Sequence, residues 1–425
     1  MTPGAAFLLL TLLVLATAAL GIRKYRTPLN PLTIFALYEI AIGELFSGLV
    51  VYYVVRPMAP WSTAKYPDKF ITLTALIACA YVIGSALPYF FRQRLFLSYY
   101  ARLIRFLGLA SEGIGAVYAP WKMVVILGAA ALSFAVLAVV GGGGILWVLH
   151  PREAYGTSKL AANPFYAGTQ WLLMLSFLYY LWSRRPRGAR LVLVLSVYTV
   201  LNLFLASKAI IMISAFVAAA YYHFRVRPIP TWVQLAAVPA GVALTLVLIV
   251  AQGTERNAAE SIIYYQDYFD STAWFLSRFH EFGYHYGSVA LSYLWAYVPR
   301  ALFPDKPFYW GHLYVNQMLY PGLLEQGTTP ASMQWTTLYM DFGLPGVFVG
   351  GFLTSVFRKV VYDYYRAHPK QLIPFLFALQ IGLLSILTLA PMPIPLVLGF
   401  VYAVFLRLVI RPGAQPSAGR IVAPS

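Results

Sequence analysis

The sequence predicts an all-α polytopic membrane protein with about eleven spanning helices and one large outer helical loop. Three observations predict it. Of 425 residues, 60% are hydrophobic and 11% charged, and the mean hydropathy is +0.70; a soluble domain carries about 45–50% apolar and about 25% charged residues. Apolar runs of about 20 residues, the length a helix needs to cross a bilayer, recur along the chain. Lys and Arg gather on one side of the alternation these runs create.

The net charge of +17 raises nucleic acid as a partner. The excess of basic residues in cytoplasmic loops of a membrane protein accounts for it instead. The single cysteine, Cys79, lies in an apolar run, which excludes an internal disulfide and a cysteine metal cluster.

The first run, Ala5 to Leu20, is followed rather than preceded by basic residues (Arg23, Lys24, Arg26). It therefore reads as a spanning helix with its N-terminus outside, not as a signal peptide. The expected spans are 4–21, 32–54, 69–91, 122–144, 166–183, 190–206, 209–223, 232–251, 336–356, 371–389 and 392–410. The inner side then holds 21 of the 31 Lys and Arg residues and the outer side ten, which places the N-terminus outside and the C-terminus in the cytoplasm. The run 190–223 can be one helix or two; the Ser207-Lys208 break and the flanking charges favour two. Glu39 and Glu44 lie inside the second span. An intramembrane carboxylate is costly and marks a partner or a cavity, and five residues apart on an α-helix the two face different directions.

Segment 92–121, with Arg92, Arg94, Arg102 and Arg105, predicts an amphipathic helix on the anionic inner leaflet, so membrane lipid is an expected partner. Gly141 to Gly144 lacks the Lys-Ser/Thr of a phosphate-binding loop and reads as a helix end. The chain divides into helices over 1–251, an outer loop over 252–335, helices over 336–410, and a Pro/Ala/Gly/Ser-rich tail over 411–425 expected to be disordered.

The outer loop carries the candidate chemistry. Residues 258–299 place Phe269, Trp274, Phe275, Phe279 and Phe282 at helical spacing, which predicts two or three helices, some lying at the membrane interface. Arg256, Arg278, Arg300, Lys306 and, at the head of an earlier helix, Lys208 are cations on a side poor in counter-charge. Salt bridges to Asp267, Asp270, Glu281, Asp305 or Asp341 are one use for them. An anionic ligand such as a lipid-linked phosphate or pyrophosphate is the other, since Arg offers a planar fork and Lys a point charge. Tyr297-Val-Pro-Arg300-Ala-Leu-Phe-Pro304-Asp305-Lys306-Pro307 contains three prolines that fix a non-helical path.

That stretch, with Arg300 and Gly311 separated by ten residues and the later Tyr339-x-Asp341-Phe-Gly343-x-x-Gly346, resembles the signature of O-antigen polymerases, the Wzy-type oligosaccharide repeat-unit polymerases. The likeness departs from the family in two places. Ala206-Ser207-Lys208 has Lys where the family often has Arg, and counting on from Arg152 for a second Arg-x10-Gly reaches Asn163.

The resemblance implies a GT-C-like fold in the bacterial inner membrane and glycosyl transfer without metal or cofactor. The substrates would be glycans on undecaprenyl pyrophosphate, with a chain-length regulator and a repeat-unit flippase as partners. Arg300 and Lys208 then stabilise the leaving pyrophosphate, with Arg256, Arg278 and Lys306 as further cations. Glu281 and His280 lead as the base, followed by Asp341 and Asp305, with His285 and His312 behind them. Two alternatives stand beside this: a ligase-like glycosyltransferase of the same architecture, distinguished by its acceptor, and a transporter, for which no inverted repeat is found.

Overall fold

The computed structural model describes residues 1–58, 66–107, 119–158, 163–251, 267–297, 303, 305, 307, 309, 311–322 and 332–385. The expected span 392–410 and the tail lie outside them. Among the described residues the structure is helical, with no strand. Among the described residues five helices are long and apolar enough to cross a membrane: α1 (Pro3–Tyr25), α2 (Pro31–Val55), α3 (Asp68–Phe90), a later one at Pro120–Val140, and one at Thr336–Ala367. With the shorter apolar helices Ala189–Leu203, Ile210–Val226 and Leu372–Leu384, the chain is a multi-pass, all-α membrane protein.

By internal packing the chain forms two units. The first comprises Met1–Leu97, Thr231–Tyr362 and Ile381–Leu396; the second comprises Ser98–Pro230, Asp363–Gln380 and Val397–Ser425.

Local chemistry sets the helix ends in the first unit. Pro3 opens α1 behind Thr2, whose hydroxyl accepts from Ala5 N at 3.3 Å. Pro31 opens α2 behind Asn30, whose side-chain oxygen accepts from Thr33 N at 3.0 Å. Both are N-cap-plus-proline starts. Arg23 and Lys24 close α1, where the helix dipole favours cations.

α2 departs from the α-helical spacing expected of it. Over Phe35–Phe46 it is wound as a π-helix, whose wider i→i+5 turn brings residues five apart to within about 50° of each other around the axis, against about 140° in an α-helix. Glu39 and Glu44 therefore both turn inward, each 2% exposed.

After α3 comes the expected amphipathic helix, α4 (Arg94–Phe106), which leaves Leu95, Phe96, Tyr99, Leu103 and Phe106 exposed among its arginines. In the second unit, α5 (Pro120–Val140) packs on α6 (Asn163–Arg184) around Leu137, Trp147, Tyr166, Leu173 and Leu205. The glycine run ends α5: Gly142 has φ 76° and Gly144 N donates to Ala138 O at 2.8 Å. The 190–223 run is two packed helices, α7 (Ala189–Leu203) and α8 (Lys208–Tyr221). Ala206 is left-handed at the break, and Ser207 caps α8 by accepting from Ile210 N.

The chain returns to the first unit with α9 (Thr231–Ala251), α10 (Asp267–Phe282), α11 (Ser288–Ser292) and α12 (His312–Leu319), then α13 (Thr336–Ala367). α10 buries Phe269, Thr272, Ala273, Phe275 and Leu276 and packs on α3. α13 meets α3 backbone to backbone: a Cβ on Gly84 would lie 2.3 Å from Phe348 O. Small residues permit that approach between membrane helices.

The span expected at 336–356 is not one straight helix. α13 breaks at Gly343, where φ is 63° and ψ −151°, two residues before Pro345. A Cβ on Gly350 would lie 2.5 Å from Leu338 Cδ1, and one on Gly346 would lie 2.6 Å from Leu338 O. Twelve residues of straight helix would separate the first pair by about 18 Å. Residues 336–342 thus fold back along 344–350. Proline removes a helical donor, and glycine supplies the left-handed turn.

Candidate functional site

The site grows from the folded-back segment of α13. Its neighbour on one side is α10: Met333 N donates to Thr272 Oγ1 at 2.9 Å, and the Phe279 and Tyr339 rings meet at 5.1 Å. The chain then turns through Gly283, Tyr286 and Gly287, all with positive φ. His285 N donates to Met340 O at 3.0 Å and Tyr286 N to Asp341 O at 3.1 Å.

Asp341 is fully buried, and both of its carboxylate oxygens are engaged. Oδ1 accepts from Val289 N at 3.1 Å and Oδ2 from Ala290 N at 2.8 Å. These amides open α11, so Asp341 caps it from about fifty residues away. It anchors the loop with the oxygens a general base would use.

The far end of α11 closes a second loop. Gly311 N donates to Ser292 Oγ at 2.7 Å, His312 N to Tyr293 Oη at 3.1 Å, and the Tyr293 and His312 rings stack at 6.1 Å. Gly311 has φ 56°, and a Cβ there would lie 2.3 Å from the Tyr293 ring. Only glycine fits both demands. Residues 293 and 312 are thus joined at their base, and Arg300 lies between them in sequence. Burial pushes the Tyr293 phenol up to about 12, and its hydroxyl also pairs with Thr337. Burial lowers the His312 imidazole below its usual value.

Arg278 and Glu281, on the last turn of α10, pair with each other. Arg278 Nη2 lies 2.6 Å from Glu281 Oε2, and both are about a third exposed, at 36% and 39%. The hydrogen bond from Arg278 holds the Glu281 carboxyl below its usual range and makes it a weaker, though accessible, base. His280 and Asp305 are also exposed. Arg256, Arg300 and Lys306 lie outside the described residues. Lys208 is the first residue of α8, in the second unit, and its side chain is not among those described.

Sequence reasoning did not single out Arg56, just past the end of α2. It is 7% exposed, pairs with Asp68, donates to Tyr66 O at 2.7 Å and stacks on the Tyr66 ring at 4.6 Å. Tyr66 in turn donates to Asp270 on α10. Tyr52, Tyr53, Arg56, Tyr66 and Asp68 line an open surface depression of about 530 Å³. The available signal was an arginine followed by proline at the C-terminal end of an apolar run.

Over 142 residues the chain is 29% identical to the O-antigen polymerases of Salmonella typhimurium and Salmonella typhi. The matched stretch is 31% of this chain and 34% of each relative, about a third of their length. No family model matches the chain, and no solved structure matches it.

Proposed function

We propose that this protein is a glycosyltransferase of the O-antigen polymerase type. It joins oligosaccharide repeat units carried on undecaprenyl pyrophosphate at the outer face of the bacterial inner membrane, in a GT-C-like arrangement. The product is an O-antigen, capsule or exopolysaccharide chain. The observation that carries the reading is the partial identity to the two O-antigen polymerases. The geometry at Gly311 agrees with it, because the loop holding Arg300 is closed where the Arg-x10-Gly spacing demands a glycine.

In the proposed step an acceptor hydroxyl attacks the anomeric carbon of the donor glycan, and the bond from that carbon to the pyrophosphate oxygen breaks. The pyrophosphate leaves with the electron pair. Arg300 stabilises its developing charge, with Arg256, Lys306 and Lys208 as further cations; fixed charges do here what a metal does in other transferases. The acceptor proton passes to Glu281 or His280, which are exposed and beside each other in sequence. Arg278 tunes Glu281, and Asp341 positions the loop. A chain-length regulator and a repeat-unit flippase are the expected partners.

Deletion of the gene in the source bacterium tests the reading. The surface glycan is expected to shrink to single repeat units and to regain its length on complementation. Unchanged chain length overturns the proposal; complete loss of glycan from its lipid A core acceptor favours a ligase instead.

A further inference from the structure

Among the charged side chains buried inside the first unit, three that the proposed chemistry does not use lie together in the polar layer between α2 and α13. Glu39 and Glu44 on α2 are each 2% exposed, and Arg358 on α13 is 1% exposed. Glu39 Oε2 lies 3.5 Å from Arg358 Nη1, and Glu39 Oε1 accepts the Tyr81 hydroxyl at 3.0 Å. That hydroxyl also lies 3.3 Å from Gln334 Oε1. The Trp335 indole lies near the Glu44 carboxylate, though its Nε1 is buried with no hydrogen-bond partner among the described residues. Gln334 and Trp335 immediately precede the folded-back part of α13, so the foot of that segment meets Glu39 through the Tyr81 hydroxyl and lies near Glu44.

The segment's other end carries Asp341, which holds the amides of Val289 and Ala290. Between them Thr337 meets the Gln334 carbonyl at 3.5 Å and the Tyr293 hydroxyl. Residues 334–341 therefore form a short rigid piece fixed below by intramembrane polar groups and above by the loop that bears the proposed chemistry.

This arrangement is poorly suited to stability alone. Among the described residues, Arg358 Nε and Nη2 and Glu44 Oε2 are buried without hydrogen-bond partners. Each orphaned group costs free energy in an apolar interior, and buried ion pairs are often no more stabilising than well-packed apolar side chains. What a directional polar contact adds is a fixed register, since an apolar contact can slide.

We infer that Glu39 and Tyr81 are positioning residues for the outer site: they set the register of residues 334–341 and, through Asp341 and Tyr293, the placement of α11 and the base of the Arg300 loop. The kinetic part of the test rests on the polymerase reading; the structural part does not.

The test uses the full chain in nanodiscs, comparing Glu39→Gln and Tyr81→Phe with wild type. Tyr81→Phe removes a single hydroxyl and serves if Glu39→Gln fails to fold. Hydrogen exchange is followed over peptides covering 286–293 and 333–342, with α1 and α5 as references. Losing a contact of this kind is expected to speed exchange about ten-fold in both windows and leave the references unchanged. With a purified lipid-linked repeat unit, kcat is expected to fall about ten-fold at nearly constant KM. Exchange that is unchanged in both windows, or that rises equally in α1 and α5, overturns the inference, as does a rise in KM at constant kcat. If wild type forms no polymer, the polymerase reading falls, and exchange alone decides the positioning role.

Discussion

Asp341 holds the backbone amide of Ala290 at 2.8 Å across 51 residues of chain. The same carboxylate holds the neighbouring amide of Val289, so one side chain supplies the N-cap of a helix to which it has no local connection. Removing it leaves two donors without acceptors. Asp341→Ala is expected to destabilise by about 1–3 kcal/mol, and Asp341→Asn, which keeps one acceptor, by less. Thermal unfolding of the two variants in one detergent checks the order.

Gly311→Ala is expected to open the base of the Arg300 loop. The substitution meets the Tyr293 ring and a left-handed backbone together, at a cost on the order of 1–3 kcal/mol. Surface glycan length should fall, as is also expected for Arg300→Ala. Gly142→Ala carries the same left-handed strain, but its Cβ would enter open space, and it should leave chain length unchanged.

Gly343→Ala is expected to disturb the fold-back. The backbone there has φ of 63°, and a Cβ would lie 2.9 Å from the Tyr284 hydroxyl, so conformation and space both oppose a side chain. Cysteines introduced by Leu338→Cys and Gly350→Cys in a Cys79→Ser background should cross-link efficiently while Gly343 is kept. Adding Gly343→Ala should make the cross-link weak. Equal efficiency would argue that the turn does not depend on glycine.

His312 gives a pH dependence. Burial lowers its folded-state value below the usual 6.5, so the unfolded chain binds the proton more readily. Its contribution to stability is present above about 6.5 and is lost as pH falls from there through the folded value. His312→Gln should remove that part of the acid-side loss, read from unfolding midpoints over the range of about pH 5 to 7.5.

Arg278 sets the ionisation of Glu281 through their hydrogen bond. If Glu281 is the base, the acid limb of the kcat profile lies below the ordinary glutamate range, and Arg278→Ala shifts it upward. An unmoved limb assigns proton transfer to His280 or another group.

Much of this fold is legible in the sequence because it depends on local chemistry. Apolar length places α1, α2 and α3; Ser207-Lys208 marks the α7–α8 break; spaced arginines mark α4. The rest depends on backbone winding and distant partners. Glu39 and Glu44 share a buried side because α2 is π-wound, which residue spacing does not reveal. Gly343-Leu344-Pro345 does contain a glycine and a proline that break helices, yet the apolar run across it reads as one span. Asp341 and Gly311 stand out in sequence, but their partners, Ala290 and Tyr293, come from other segments. Arg56 draws no notice until Tyr66 and Asp68 close around it.

If glycosidic bonds form at the loop carrying Arg300, the reaction should be lost with that one side chain. Proteoliposomes of wild type and Arg300→Ala, incubated with a purified undecaprenyl-pyrophosphate-linked repeat unit, test this most directly. The expected result is a ladder of polymer lengths from wild type and unextended substrate from Arg300→Ala at equal protein levels. No new glycosidic bond from wild type, or an undiminished ladder from Arg300→Ala, would contradict it.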